Sequence, residues 1–326
     1  MNHKNHTALV TGANSGFGFE TAVLLAQQGY GRIILACRSE VKSEQARKEL
    51  INRVGKDVFS GLTIDVTDLN ASKKAAQQLH AQGQKIDLLI LNAGLGSQTL
   101  KTSAQGIEIT LAASLFGHHM LTMELLATGS LSNTARIVIA GSEATRGNLP
   151  GMKMPNYKAI QKQIGGSLDD AMDAIAQGKQ PIKYNMNTAY VNAKCWVSWW
   201  AAALANKLPS PMVVVSVSPG SAPDTGLSRN MPAFMRLVMF PMLKVIGPLM
   251  KMAAPISQGA QRYVDAGEFT LSDSGKFYAS PAKVLVGPMQ AQVISHISDT
   301  HMQQAIWNSV VRLTRADVPA PLAQVK

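Results

Sequence analysis

The chain has 326 residues, 46% of them hydrophobic, which is ample for a sizeable core in one large α/β domain or two small ones. Thirty-one Lys and Arg face twenty Asp and Glu, a net charge of +11 with no dense basic cluster and no nucleic-acid motif, so no nucleic-acid partner is expected. An anionic cofactor, an acidic substrate, an anionic membrane surface and a merely solubilising coat all fit that charge. Cys37 and Cys195 are too few for a disulfide framework, no metal-ligand spacing appears, and residues 1–6 carry no signal or transit pattern. A cytoplasmic protein without a metal site is expected.

Residues 7–10 are a short apolar run that reads as a buried strand. Thr11-Gly12-Ala13-Asn14-Ser15-Gly16-Phe17-Gly18 follows, and then residues 19–28 at helical spacing, with Phe19, Val23, Leu24 and Ala26 near one face. Strand, glycine-rich turn and helix in that order open a dinucleotide-binding unit. Without Cβ atoms the glycines let the backbone turn tightly and approach a pyrophosphate at the helix N-terminus. Residues 32–37 read as a second strand, 40–53 as a polar helix, and 59–64 as a third strand ending at Asp65. A helix over 71–82 and a fourth strand over 87–91 lead to Asn92-Ala93-Gly94. Residues 107–127 form a long helix rich in Leu and Met. Its His118 and His119 point apart and read as packing or surface residues. A fifth strand over 136–140 ends in Gly141-Ser142. A helix over 188–207 precedes a sixth strand over 212–217, which ends in Ser218-Pro219-Gly220, and 276–278 is a short last strand. Alternation of this kind predicts a parallel sheet covered on both faces, with right-handed crossovers and a ligand beyond the carboxyl ends of the strands. Asn92, Ser142 and Pro219 all fall there.

Two stretches break the rhythm. Residues 143–187 hold Pro150, Pro155, Gly165-Gly166 and Pro181 and a helical piece over 168–177; so long a connection is usually functional. Residues 231–255 are rich in Met, Leu, Phe and Pro, but Arg236, Lys244 and Lys251 interrupt them, so they lack the run that a membrane span requires. Chemistry is carried by Tyr190-Val191-Asn192-Ala193-Lys194. Tyr and Lys four apart share a helix face. A nearby ammonium is expected to lower the Tyr pKa and ready it for proton exchange with a carbonyl oxygen, which Ser142 at its strand end can also hydrogen-bond.

With these motifs in place, the chain resembles a short-chain dehydrogenase/reductase over residues 7–278. The resemblance rests on residues 11–18, Asn92-Ala93-Gly94, Ser142, Tyr190 with Lys194, and Pro219-Gly220. It implies a single Rossmann-type doubly wound domain over 1–326 with a seven-stranded, mostly parallel sheet. To that it adds an insertion at 143–187, an apolar substrate lid at 226–256 and a C-terminal extension at 281–326. It further implies a nicotinamide cofactor bound by Gly12, Asn14, Ser15, Gly16, Phe17, Gly18, Asp65, Val66, Asn92, Ala93, Gly94, Tyr190, Lys194, Pro219 and Gly220. Tyr190 would be the acid/base, Ser142 its orienting partner, and Lys194 the group that lowers the Tyr pKa and binds the nicotinamide ribose. Two departures stand out. Ser114 occupies the place before Leu-x-Gly-His where the family carries an Asn that supports a relay water, so slow turnover or altered chemistry is expected. Thr225 lies six residues after Pro219 instead of five, and is still the expected contact to the nicotinamide amide.

The second strand ends in Cys37-Arg38-Ser39 with no carboxylate to bind ribose hydroxyls, and Arg38 offers a fork of donors suited to a 2′-phosphate. NADPH is therefore the expected cofactor. The Leu-Ala-Cys-Arg segment and the long insertion resemble the branch of retinol dehydrogenases and protochlorophyllide reductases, which bind large apolar substrates. The main expectation is NADPH-dependent reduction of a ketone or aldehyde on a lipophilic small molecule. Reduction of a conjugated C=C bond and a catalytically weak NADPH-binding sensor are the alternatives. The Met-rich stretch reads as a lid, as a peripheral contact with the inner membrane surface, or as an ordinary buried helix pair. Trp196, Trp199 and Trp200 suit a homodimer interface or the core of a monomer equally well.

Overall fold

Apolar runs become strands where β-branched and aliphatic residues dominate, and the longest of them are buried on both faces. In the computed structural model, which describes residues 3–222 and 252–319, the strands are β1 (Thr7–Thr11), β2 (Arg32–Cys37), β3 (Phe59–Thr63), β4 (Ile86–Leu91), β5 (Leu131–Ala140), β6 (Asn148–Leu149), β7 (Met152–Lys153), β8 (Val213–Val217), β9 (Phe277–Ala279) and β10 (Gln290–Ala291). The main sheet has eight strands in the order β10-β9-β8-β5-β4-β1-β2-β3. Seven of these are parallel, as expected; the eighth, β10, is a two-residue antiparallel edge that pairs Gln290 with Ala279. So short a strand leaves no period for the sequence to display. The order reverses between β1 and β4, which opens the ligand crevice beside the glycine turn.

The helices are α1 (Gly16–Gln27), α2 (Glu40–Val54), α3 (Leu69–Ala81), α4 (Ile109–Leu111), α5 (Gly117–Ala127), α6 (Tyr157–Ile164), α7 (Leu168–Ala176), α8 (Met186–Ala205), α9 (Ile256–Asp265) and α10 (Thr300–Thr314). One hydrophobic cluster packs α1, α2 and α9 on one face of the sheet. The other lies under α3, α5 and α8 and continues outward through the insertion to α10. The long helix expected over 107–127 is broken: Ala112–Phe116 is a π-helical turn between α4 and α5. Val66 explains part of that packing, because a Cβ on Gly117 would stand 1.9 Å from the Val66 carbonyl oxygen.

The insertion folds back onto α8. Tyr157 donates its hydroxyl to Asn192 Oδ1 at 2.7 Å. Ser167 and Asp170 form a reciprocal cap at the start of α7, and Arg312 on α10 clamps that helix through Asp173 at 2.7 Å. Trp196, Trp199 and Trp200 are consequently core residues, each under 2% exposed within the single chain. Trp199 donates to the His296 carbonyl and Trp200 to His119 Nδ1. No helix among the described residues is long and apolar enough to cross a membrane. Most of the expected lid, and Thr225 with it, lies outside the described residues.

Candidate active site

The glycine turn is shaped by contacts that only hydrogen at Cα permits. Gly12 and Gly16 have φ of 68° and 61°, in the left-handed region. A Cβ on Gly18 would stand 2.5 Å from the Gly12 carbonyl oxygen and 2.6 Å from Asn92 Nδ2. Asn92 is placed to brace the turn, donating to the Thr11 carbonyl at 2.9 Å, and the Ala93 amide donates to Thr11 Oγ1 at the same distance. Phe17 reaches across to α9, edge-on to Tyr263. The start of α1 has neither a side-chain cap from Ser15 nor an acidic residue in its first turn. Its leading amides are thus left to an anion, and these residues fit a dinucleotide's pyrophosphate.

At the neighbouring strand end, the Cys37 sulfur accepts from the amides of Ala13 and Asn14 while burial pushes its pKa up to about 11. That contact stitches β2 to the turn and brings Arg38, which is exposed, to the rim of the same crevice. No carboxylate stands at the end of β2. Asp65 is engaged locally, accepting from the Thr67 amide and hydroxyl at 2.9 and 2.8 Å. The Ser39 side chain caps α2.

Ser142, Tyr190 and Lys194 come together at the carboxyl end of β5. The Tyr190 hydroxyl donates to Ser142 Oγ at 3.3 Å, and Lys194 Nζ donates to the Ala140 carbonyl at 2.8 Å. Nζ lies 5.8 Å from the centre of the Tyr190 ring. One expectation is corrected here. Burial raises the Tyr190 pKa, the Ser142 hydrogen bond lowers it, and the charge of Glu143 raises it again; Lys194 is not among the causes. Burial also brings Lys194 down to about 8. In this fold the ammonium is turned to the Ala140 carbonyl, and burial is the largest influence on the phenol.

Ser114 sits inside the π-helical turn, 4% exposed. Its hydroxyl faces Gly94, 3.7 Å from where a Cβ there would stand. Its carbonyl accepts from His118 Nδ1 at 3.1 Å, while His118 Nε2 meets Thr11 Oγ1 at 3.0 Å. The ring thus ties the π turn to the glycine turn. His118 and His119 are fully buried, and burial brings them down to about 4 and about 3. Residue spacing gave no signal for this link, since it joins segments far apart in the chain. Pro219 and Gly220 follow β8 against α9, where a Cβ on Gly259 would stand 2.4 Å from the Pro219 carbonyl oxygen. No group of His, Cys, Asp and Glu that could hold a metal ion occurs among the described residues.

Residues 6–163 match the family model for short chain dehydrogenases. Retinol dehydrogenase 13 of Homo sapiens is 25% identical over 314 residues, spanning 96% of this chain and 86% of that protein. The chloroplastic protochlorophyllide reductase of Chlamydomonas reinhardtii is 26% identical over 326 residues, spanning 95% of this chain and 78% of that protein. Among solved structures, an uncharacterized protein from Mycobacterium Paratuberculosis shares the fold with a TM-score of 0.70 at 22% identity, covering 98% of this chain and 96% of that one.

Proposed function

The chain belongs to the short-chain dehydrogenase/reductase family of oxidoreductases, and from that premise we propose that it reduces a ketone or aldehyde on a lipophilic small molecule, with NADPH as reductant and Tyr190 as proton donor. The observation that carries this reading is the Tyr190 hydroxyl on Ser142 Oγ at 3.3 Å, at a strand end beside the glycine turn. When bound, NADPH would supply the hydride; Gly12, Gly16 and Gly18 would let the backbone close on its pyrophosphate. Arg38, at the end of a strand without a carboxylate, supports a preference for the 2′-phosphate.

The chain's own groups account for the rest. Ser142 and Tyr190 present two hydroxyls to one carbonyl oxygen, which orients it. Burial keeps the Tyr190 phenol protonated at neutral pH, so it can donate as negative charge develops on that oxygen. Lys194, brought down to about 8 by burial, remains largely an ammonium at pH 7, held by the Ala140 carbonyl one turn of α8 from Tyr190.

A second reading, reduction of a conjugated C=C bond, is favoured by the insertion packed on α8 and by the likeness to protochlorophyllide reductase. The test is an oxidation screen with NADPH and with NADH against lipophilic aldehydes, ketones and enones, followed by product analysis. An alcohol supports the first reading and a saturated carbonyl the second. A clear preference for NADH removes the role given to Arg38, and no turnover on any substrate removes both readings.

A further inference from the structure

Ser142 is followed by a buried carboxylate that carbonyl reduction does not use. Glu143 is 3% exposed and Arg262, on α9, is 4% exposed. Nη1 of Arg262 stands 3.5 Å from Glu143 Oε1. Around this pair the remaining hydrogen-bonding positions are filled from separate segments. Ser218, just after β8, donates its hydroxyl to Glu143 Oε2. The amide of Ser280, just after β9, donates to Oε1 at 3.2 Å. Arg262 in turn donates to the Ser218 carbonyl at 2.8 Å, the Ser280 hydroxyl at 2.8 Å and the Gly287 carbonyl at 2.7 Å. Gly220 lies against the guanidinium, with its absent Cβ 3.4 Å from Nη1. A buried ion pair is seldom a net stabiliser over apolar residues of the same volume, whereas removing one partner leaves a costly lone charge. Stability alone therefore does not account for placing this pair next to Ser142.

We propose that Glu143, held by Arg262, is a positioning residue for proton transfer: it locks the segment carrying Ser142 to the Pro219–Gly220 turn and sets the field in which the Tyr190 hydroxyl exchanges its proton. This rests on Tyr190 being the proton donor. The charged and titratable groups around Tyr190 come from three elements: Lys194 from α8, 5.8 Å from the ring centre, Glu143 from the end of β5, and from α9 Tyr263, together with Arg262, which faces Glu143 and Tyr263. His118 from α5 faces Lys194 and stays neutral. A carboxylate beside Ser142 holds the proton on the Tyr190 phenol, while the guanidinium acts on the neighbouring Tyr263. The Glu143 charge gives the inference a sign. Glu143→Gln keeps the shape and an acceptor for Ser280 but removes the charge that holds the proton on the phenol, so Tyr190 ionises at lower pH.

The measurement is the tyrosinate difference absorbance of the full chain against its Tyr190→Phe variant, taken across alkaline pH and repeated with Glu143→Gln in both. It needs no substrate. Absence of carbonyl turnover would therefore sink the functional reading while this titration still decides the present one. Glu143→Gln is expected to lower the Tyr190 midpoint by about one pH unit. The alkaline limb of kcat/KM should move the same way. A purely structural role would lower kcat without moving the midpoint, and an unmoved midpoint in Glu143→Gln overturns the proposal. If that variant does not fold, Arg262→Lys decides. It keeps the charge and loses the fork, so the midpoint should hold while kcat falls, and a displaced midpoint overturns the proposal.

Discussion

At the glycine turn, close approach is made by backbone: Gly18 lies against the Gly12 carbonyl, and the Asn92 amide and Thr11 hydroxyl each bind a main-chain group to hold the turn. At the proton-transfer centre it is made by buried side chains: Tyr190, Lys194, Glu143 and Arg262 arrive from α8, from the end of β5 and from α9. The first region is fixed by sterics and has little to titrate. The second stores charge in a low-dielectric setting, where each group changes the protonation of its neighbours. Substitutions in the first region should thus damage binding and stability without pH dependence, and substitutions in the second should damage turnover with it.

The largest expected effect lies in the second region. Tyr190→Phe removes the proton and keeps the ring, so kcat/KM should fall by about 10³-fold, within the range for a positioned acid. Cofactor affinity, read by fluorescence titration, should stay within about twofold, roughly 0.4 kcal/mol. Retained turnover would erase the contrast between the two regions. Gly18→Ala is the counterpart in the first. Its Cβ meets a backbone oxygen that has nowhere to go, so stability should drop by about 2 kcal/mol. Cofactor affinity should fall at least tenfold, about 1.4 kcal/mol, with no change in the shape of the pH profile.

The two buried histidines sharpen the comparison, because His118 belongs to both regions while His119 accepts the Trp200 indole N–H and packs against Trp307. Both have folded pKa values depressed by burial, to about 4 and about 3. The unfolded chain takes up protons near pH 6.5 that the folded chain refuses. Their stability contribution is therefore whole above pH 6.5 and is lost as pH falls toward 4 and 3. Between pH 6.5 and 5 the loss should be on the order of 2 kcal/mol for each histidine. Urea midpoints at pH 7 and pH 5 measure it, and His119→Phe should remove about half of the difference. Equal stability at both pH values would mean that solvent reaches these rings.

Local spacing explains what could be read from the chain alone. The glycine turn, the Tyr190–Lys194 pair and the strand ends bearing Asn92, Ser142 and Pro219 each occupy a few consecutive residues, and the sheet follows from alternating apolar runs. What stayed hidden joins distant segments. Glu143 meets Arg262, His118 meets Thr11, and α10 covers the tryptophans of α8. Lys194 misled for a related reason: its i,i+4 spacing from Tyr190 is real, but its ammonium is claimed by Ala140. The break at Ala112–Phe116 was invisible because a π-helical turn keeps the composition of an apolar helix.

Ser114 is where the comparison is finest, since backbone and side chain at one residue face different partners. The carbonyl is held by His118 and through it by the glycine turn. The hydroxyl points at Gly94, and Lys194 Nζ is engaged by Ala140. A relay running through the Ser114 hydroxyl would have to reach one of the remaining Lys194 N–H groups, and no hydrogen bond joins the two side chains among the described residues. Ser114→Ala, which keeps the backbone and deletes only the hydroxyl, should therefore change kcat by less than about threefold, under ~1 kcal/mol of barrier. His118→Phe, which releases the carbonyl instead, should cost more in cofactor affinity than Ser114→Ala does, because Thr11 loses one of its partners at the turn. Steady-state kinetics and cofactor titration of the two variants side by side make the comparison. A tenfold loss of kcat in Ser114→Ala, with cofactor affinity intact, would move the hydroxyl into the proton path and assign residue 114 to the charged region of the site.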